Sequence, residues 1–146
     1  MNQIPRPAIV LDTNVVLDWL LFADPSAAPV AAAIERRQVR WIATPAMRDE
    51  LADVLTRGLA AKHDSDPARL LGAWDAHART VPAPERLPNA LVLYCTDPDD
   101  QKFIDLALST GAPWLLSRDR AVLRLAKRAA RMGLAITTPE GWSAPT

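Results

Sequence analysis

Aspartates follow three short apolar runs of this chain, and each stands before a stretch with helical character. Asp12 follows residues 8–11, Asp97, Asp99 and Asp100 follow residues 91–95, and Asp119 follows residues 114–116. Such runs are typical of buried strands in a parallel sheet, whose carboxyl ends meet at one edge. We therefore expect these carboxylates to lie close together at the edge where α/β sheets bind ligands. Crowded carboxylates repel one another, and a divalent cation between them is the usual compensation.

Each aspartate also has a purely structural interpretation as a helix N-cap. Taken singly, Asp12 is better explained this way, because capping aspartates are commoner than catalytic ones. Asp97 with Pro98 behind it is a favoured helix start, and acids in the first turn suit the helix dipole. One aspartate is enough for a cap, however, and this segment has three. Asp97 and Asp100 are three residues apart, so both can face one point beyond the helix end.

Glu50 is open to two interpretations. It lies about six residues into a helix predicted to begin at Thr44 and Pro45, or roughly 9 Å along that helix. Charged neighbours favour a solvated helix residue: Arg48, Asp49 and Asp53. In the alternative, the Glu50 side chain leans back over the same sheet edge as Asp12.

The chemistry that the joint pattern supports is metal-assisted hydrolysis. Mg²⁺ and Mn²⁺ prefer oxygen ligands and can activate water against a phosphodiester. The chain has no Gly-rich phosphate loop, and His63 and His77 stand far apart without an evident nucleophile. A phosphatase of the haloacid-dehalogenase type is a weaker alternative. It needs a second aspartate two residues after the first, where this chain has Asn14.

The other elements predict an α/β fold with a mainly parallel sheet of about five strands. Further strands are predicted at residues 41–43 and 134–137, and helices at 15–22, 29–38, 67–78 and 120–132, whereas 57–66 is ambiguous. Residues 82–88 form a Pro-rich connector too short to separate domains. We therefore expect one domain over residues 1–146.

Bulk composition assigns no partner. The 17 basic and 17 acidic residues cancel, so net charge indicates neither nucleic acid nor membrane. The single Cys95 reads as a small core residue. Pro5 and Pro7 stand where a signal peptide needs an apolar region, and Asp18 interrupts the longest apolar stretch. These observations predict a cytoplasmic protein without membrane association.

Basic residues recur in the last predicted helix at spacings that share one face: Arg120, Arg124, Lys127, Arg128 and Arg131. Such a stripe could follow nucleic-acid phosphates outward from Asp119 and supply locally the positive charge that the whole chain lacks. The structural alternative is a solvated face whose late cations favour the helix C-terminus. The sequence slightly favours that alternative.

Four segments taken in order resemble the successive motifs of PIN-domain ribonucleases. They are VLDTNV at residues 10–15, DEL at 49–51, DPDDQKFIDLA at 97–107 and LSRD at 116–119. Each motif is weak alone, but the combination spans nearly the whole chain. The resemblance implies a three-layer α/β/α fold and Mg²⁺- or Mn²⁺-dependent cleavage of RNA.

The resemblance also implies roles for particular residues. Asp12, Glu50, Asp100 and Asp119 match the family's acidic quartet, with Thr13, Asn14 and Ser117 as polar companions. Around Asp100 the chain has more acid than the family pattern needs, so Asp97 or Asp99 is a further candidate metal ligand.

At the level of partners, the resemblance implies a toxin paired with an antitoxin protein, and a homodimer. The alternative function is a catalytically silent PIN-like module that binds RNA or protein. The complete set of acids speaks against that alternative.

Overall fold

One all-parallel sheet organises the protein. The computed structural model describes residues 6–85, 87 and 92–145. Its strands are Ala8–Leu11 (β1), Arg40–Ala43 (β2), Arg79–Thr80 (β3), Trp114–Leu116 (β4) and Ala135–Thr137 (β5). They lie in the order β3-β2-β1-β4-β5, which makes β1 the central strand. The predicted α/β class and five-stranded parallel sheet are confirmed.

Helices connect the strands and cover the sheet in a three-layer α/β/α arrangement. The α-helices are Thr13–Leu20 (α1), Ala28–Glu35 (α2), Pro45–Val54 (α3), Ala60–Lys62 (α4), Pro67–His77 (α5), Gln101–Thr110 (α6), Arg120–Leu123 (α7) and Ala126–Arg131 (α8). Short 3₁₀ helices occupy Pro25–Ala27, Pro98–Asp100 and Pro139–Gly141, and Leu55–Leu59 is a π-helical turn between α3 and α4. Among the described residues, no single helix is long and apolar enough to cross a membrane. Two consecutive segments, Thr13–Leu20 and Pro25–Glu35, reach that length and apolar character only when they are taken together. The chain bends by 106° between them.

The apolar run that opens the chain forms the centre of the core. All four residues of β1 are buried, as expected for a strand covered by helices on both faces. Helix α6 packs against β1 and β4, and its Phe103 and Ile104 are almost completely buried. This packing fixes the start of α6, where the Asp-rich segment lies, against the two strands that Asp12 and Asp119 follow in the chain.

The strand predicted at residues 91–95 is wrong for the part that the structure describes, and residue 91 lies outside it. Residues 92–95 belong to no strand, and β3 instead lies beside β2. The physical reason is the side chain of Gln101. Its Nε2 donates to the carbonyl of Leu93 at 2.7 Å, and its Oε1 accepts from the backbone N–H of Cys95 at 2.8 Å. A side-chain amide thus satisfies backbone groups that a neighbouring strand would otherwise pair.

The last helix, predicted to run from residue 120 to 132, is broken into α7 and α8. At the break, the backbone N–H of Leu125 bonds to the carbonyl of Val122, a tighter i to i−3 turn. Leu125 is buried there, whereas Arg124 remains exposed. The regular spacing of the basic residues, which was derived for one continuous helix, is therefore interrupted at this break.

The strand order creates a crevice between β1 and β4. Leu11 and Leu116 are paired across these strands. The chain leaves β1 toward β2 on one side and leaves β4 toward β5 on the other. The carboxyl ends of two such strands form a topological switch point, the usual ligand site of an open α/β sheet.

Candidate active site

Asp12 directly follows β1 and faces the crevice without capping the helix behind it. Its backbone N–H continues the sheet by donating to the carbonyl of Leu116, and its own carbonyl accepts from Val15 and Val16 to begin α1. Its carboxylate makes no capping hydrogen bond. The side chain is only 3% exposed, and its Oδ2 accepts a hydrogen bond from Ser117 Oγ at 2.6 Å. Helix capping therefore does not explain a buried carboxylate at this position.

The capping interpretation is right for two other aspartates. Asp97 accepts from the backbone N–H of Asp99 at 3.0 Å, and Asp119 accepts from that of Ala121 at 2.9 Å. Asp100 stands at the N-cap of α6 but makes no such bond. It is 7% exposed, and its Oδ2 is buried with no hydrogen-bond partner in the described part of the chain.

Three of these carboxylates converge. Asp97, Asp100 and Asp119 each offer an oxygen, and these oxygens all lie within 4.8 Å of one another. Asp99, the other acid considered for this role, is exposed and lies outside the cluster. Asp12 is near enough for its charge to affect Asp100. Of the aspartates predicted to gather at one sheet edge, the structure thus brings Asp97, Asp100 and Asp119 together, with Asp12 nearby and Asp99 outside.

Burial and neighbouring charge make Asp100 hard to ionise without a counter-ion. Burial is the main factor that raises its pKa, to about 8. A hydrogen bond with Asp119 raises the pKa further, as do the charges of Asp12, Asp119 and Asp97. The metal-free acidic cluster therefore tends to retain a proton near neutral pH.

Asp12 experiences the same factors in a different balance. Burial is again the largest and raises its pKa, with smaller contributions from the charges of Glu50 and Asp119. Hydrogen bonds from the Ser117 hydroxyl and the Thr13 backbone lower the pKa and oppose this shift. Ser117 thus stabilises the charged form of Asp12, which is the form a cation needs.

Glu50 lies at the same end of the sheet. Thr13 Oγ1 donates to its Oε1 at 2.9 Å, and Lys102 forms an ion pair with its Oε2. The Glu50 side chain is 31% exposed. The interpretation that it leans back toward Asp12 matches this geometry better than that of a fully solvated helix residue, since its partners come from α1 and α6. Its catalytic role remains a prediction.

The predicted polar companions tie the loops of the site together. Ser117 is fully buried, donates to Asp12 and accepts from the backbone N–H of Asp119 at 3.0 Å. Asn14 Oδ1 accepts from the backbone N–H of Arg118 at 3.3 Å. The loop after β4 is therefore held directly against the loop after β1.

Sequence reasoning missed two cations of the site. Lys102 stands in the first turn of α6, where a positive charge opposes the helix dipole, and this anomaly was a usable signal. Arg118 forms ion pairs with Asp18 and Glu140 and donates to Ser26. No local pattern could reveal Arg118, because its partners lie far away in the sequence.

The basic stripe is exposed but runs over two helices. Arg120, Arg124, Lys127, Arg128 and Arg131 are all exposed, and between them Val122, Leu125 and Ala129 are buried. Arg120 directly follows Asp119, so the stripe begins beside the acidic cluster. Exposure of this kind suits both phosphate binding and simple solvation, and the RNA-binding role remains a prediction.

The donor set fits a hard divalent cation. It consists of carboxylate oxygens, the ligands that Mg²⁺ and Mn²⁺ prefer. The unpartnered Oδ2 of Asp100 lies among them in a buried position, where an unsatisfied acceptor is costly. A bound cation would satisfy this oxygen and offset the repulsion within the cluster.

The pKa of Asp100 predicts how the stability of the metal-free protein depends on pH. In the unfolded chain its pKa is near 3.8, and in the folded protein it is about 8. Between these values the folded state binds a proton that the unfolded state has released, so the free energy of unfolding decreases as pH rises. Melting temperatures in a chelator should therefore fall from about pH 5 to about pH 8. Asp100→Asn should reduce this fall. An equal fall in that variant would contradict the assignment.

Comparison with known proteins supports this interpretation of the motifs. No curated protein matches the chain. A family model described as PIN domain matches residues 8–121, which include Asp12, Glu50, Asp100 and Asp119. PIN domains are generally metal-dependent nucleases, in keeping with an acidic cluster that could hold a metal. Because the match covers well over half of its residues, the chain belongs to the PIN-domain family.

Proposed function

We propose that this protein is a divalent-metal-dependent endoribonuclease that hydrolyses RNA phosphodiesters. The observation that carries the proposal is the buried, unpartnered Oδ2 of Asp100 among the carboxylates of Asp97 and Asp119. A purely structural cluster would satisfy or expose that oxygen, because an unpaired buried acceptor destabilises the fold. Membership of the PIN-domain family supports the nuclease class. RNA as the substrate is what the resemblance of the motifs implies.

Asp12, Asp97, Asp100 and Asp119 would hold Mg²⁺ or Mn²⁺. When bound, such a cation supplies Lewis-acid polarisation of the phosphodiester and activation of a water nucleophile near neutral pH. Ser117 favours the ionised form of Asp12 against the effect of burial, and it orients the carboxylate through its hydrogen bond to Oδ2. The backbone N–H of Ala121 orients Asp119 through Oδ1.

Glu50 has a separate role in this proposal. It lies outside the group of three carboxylates, and we assign it to orienting the attacking water. Thr13 fixes one of its oxygens and Lys102 the other. Because Glu50 is held from two different helices, its side chain loses little further freedom when substrate binds. The site is in this sense preorganised.

We further propose the biological setting that the resemblance implies. The protein acts as the toxin of a toxin–antitoxin pair, its substrate is an RNA, and its partners are an antitoxin protein and a second copy of itself. A small antitoxin-like reading frame beside the gene would support this setting.

Cleavage of RNA in the presence of metal tests the function directly. Several single-stranded and structured RNAs should be incubated with Mg²⁺, with Mn²⁺ or with a chelator. We expect internal cleavage of at least one RNA with metal and none with chelator. Metal-independent binding of RNA without cleavage would instead indicate the catalytically silent module.

The basic stripe gives a prediction for RNA affinity. In chelator, which prevents cleavage, changing both Arg124 and Arg128 to Gln should weaken RNA binding. The slope of log affinity against log salt should flatten by about 0.7 for each RNA phosphate that the variant no longer neutralises. The matched control changes Lys62 and Arg69, two exposed cations elsewhere on the protein, to Gln. If the two double variants show the same slope, the stripe is a solvated face.

A further inference from the structure

Four arginines surround a cavity at the amino ends of the strands. Arg6 precedes β1, Arg40 and Arg79 are the first residues of β2 and β3, and Arg37 lies in the turn before β2. The cavity has a volume of about 510 Å³. We refer to it as the arginine pocket. Since the strands are parallel, it lies at the sheet edge opposite the acidic cluster.

Charge in the arginine pocket is unbalanced. Glu35 is the one acidic residue in its lining, against four guanidinium groups. Among the ion pairs formed by residues 6–85, 87 and 92–145, none involves these arginines. Like charges gathered around one cavity repel each other. Just as crowded carboxylates favour a bound cation, these four guanidinium groups favour a bound anion.

Part of the pocket is already ordered. Arg40 Nε donates to the carbonyl of Arg6 at 2.9 Å, and the Arg40 backbone N–H donates to the carbonyl of Pro7 at 2.8 Å. These bonds hold the first residue of β2 against the start of β1. Trp41 is 1% exposed and forms a rigid part of the wall, with an indole N–H that lacks a partner among the described residues. A site with fixed walls loses less entropy when it binds a ligand.

We propose that the arginine pocket binds a small phosphorylated ligand of about nucleotide size, a phosphate monoester or a diphosphate. Guanidinium groups form paired, parallel hydrogen bonds with phosphate oxygens, and several arginines together favour a multiply charged group. The volume lies within the range of about 300–1,000 Å³ typical of small-molecule sites. This binding site is separate from the proposed nuclease site and does not depend on it.

Calorimetric titration in chelator tests the pocket without any contribution from a metal centre. The probes are pyrophosphate, adenosine monophosphate, adenosine and a single-stranded RNA oligonucleotide. The variants change either Arg37 and Arg79 or Lys62 and Arg69 to Gln. All four positions are exposed, so both double variants should fold, and melting temperatures without ligand check this. We expect saturable binding of at least one phosphorylated probe and none of adenosine. The pocket variant should bind at least tenfold more weakly than wild type, and the control variant should bind like wild type.

Three results would overturn the proposal. They are the absence of saturable binding up to millimolar probe, equal weakening in both double variants, and binding only of a single-stranded RNA oligonucleotide through the pocket arginines. The last result would identify the pocket as an RNA-binding surface instead. Because no metal is present, failure here leaves the nuclease proposal unaffected, and an inactive nuclease would leave this site unaffected.

Discussion

The Asp12→Asn variant is expected to lose metal-dependent RNA cleavage by two or more orders of magnitude while keeping its fold. Asparagine has the same shape and can still accept the hydrogen bond from Ser117. It cannot supply the negative charge that holds a hard cation. A hundredfold loss corresponds to about 2.7 kcal/mol of transition-state stabilisation. Because burial disfavours the charged form of Asp12, the melting temperature in chelator should not fall.

The matched control is Asp49→Asn. Asp49 is an exposed acid beside Glu50 on α3, so its removal makes the same change in net charge near the site. Its activity should remain within a few-fold of wild type. Full activity in Asp12→Asn would mean that any observed cleavage comes from a contaminant or from another site, and the PIN assignment would then describe only the fold.

The central strand and the helix that follows could be predicted from the sequence because their signals are local. Residues 8–11 are continuously apolar, and β1 is buried along its whole length. The segment at residues 91–95 is also apolar, yet Leu93 and Cys95 bond through their backbone groups to the side chain of Gln101. Composition alone cannot distinguish these outcomes, since both satisfy the backbone. The short β3 carries two exposed residues and therefore gave no apolar signal.

The sequence could predict which acids belong to the site, but it could not predict which of them cap a helix and which are free to bind a metal. Capping and metal binding use the same residue types at the same positions, and only the hydrogen bonds separate them. Asp97 and Asp119 cap, whereas Asp12 and Asp100 do not. The partners of Glu50 and Arg118 depend on packing between distant segments, which is why sequence reasoning could not assign them.

The second large effect concerns Asp100→Asn. This variant should be more stable than wild type without metal and less stable than wild type when metal is added. In chelator at about pH 8, Asp100→Asn should melt at a higher temperature than wild type. Asparagine removes a buried carboxyl that burial makes hard to ionise. Its amide can also donate hydrogen bonds to the neighbouring carboxylates of Asp97 and Asp119.

Adding Mn²⁺ should change that order. A ligand present at a hundred times its dissociation constant stabilises the protein that binds it by about 2.7 kcal/mol. Wild type should gain this stability, whereas Asp100→Asn should gain little, because it lacks both the charge and the buried oxygen that the cation would satisfy. Wild type should then melt at the higher temperature.

The exposed neighbour Asp99 provides the matched control for this reversal. Asp99→Asn removes one charge from the same turn but leaves the three converging carboxylates intact. It should therefore gain stability from Mn²⁺ as wild type does. Melting curves of the three proteins, with and without metal, measure the effect. If Asp100→Asn gained as much stability from Mn²⁺ as wild type, Asp100 would not be a ligand and the metal centre would have to lie elsewhere. If Asp99→Asn failed to show that gain, the cation would bind at the exposed side of this turn, near Asp99, and not at the buried cluster.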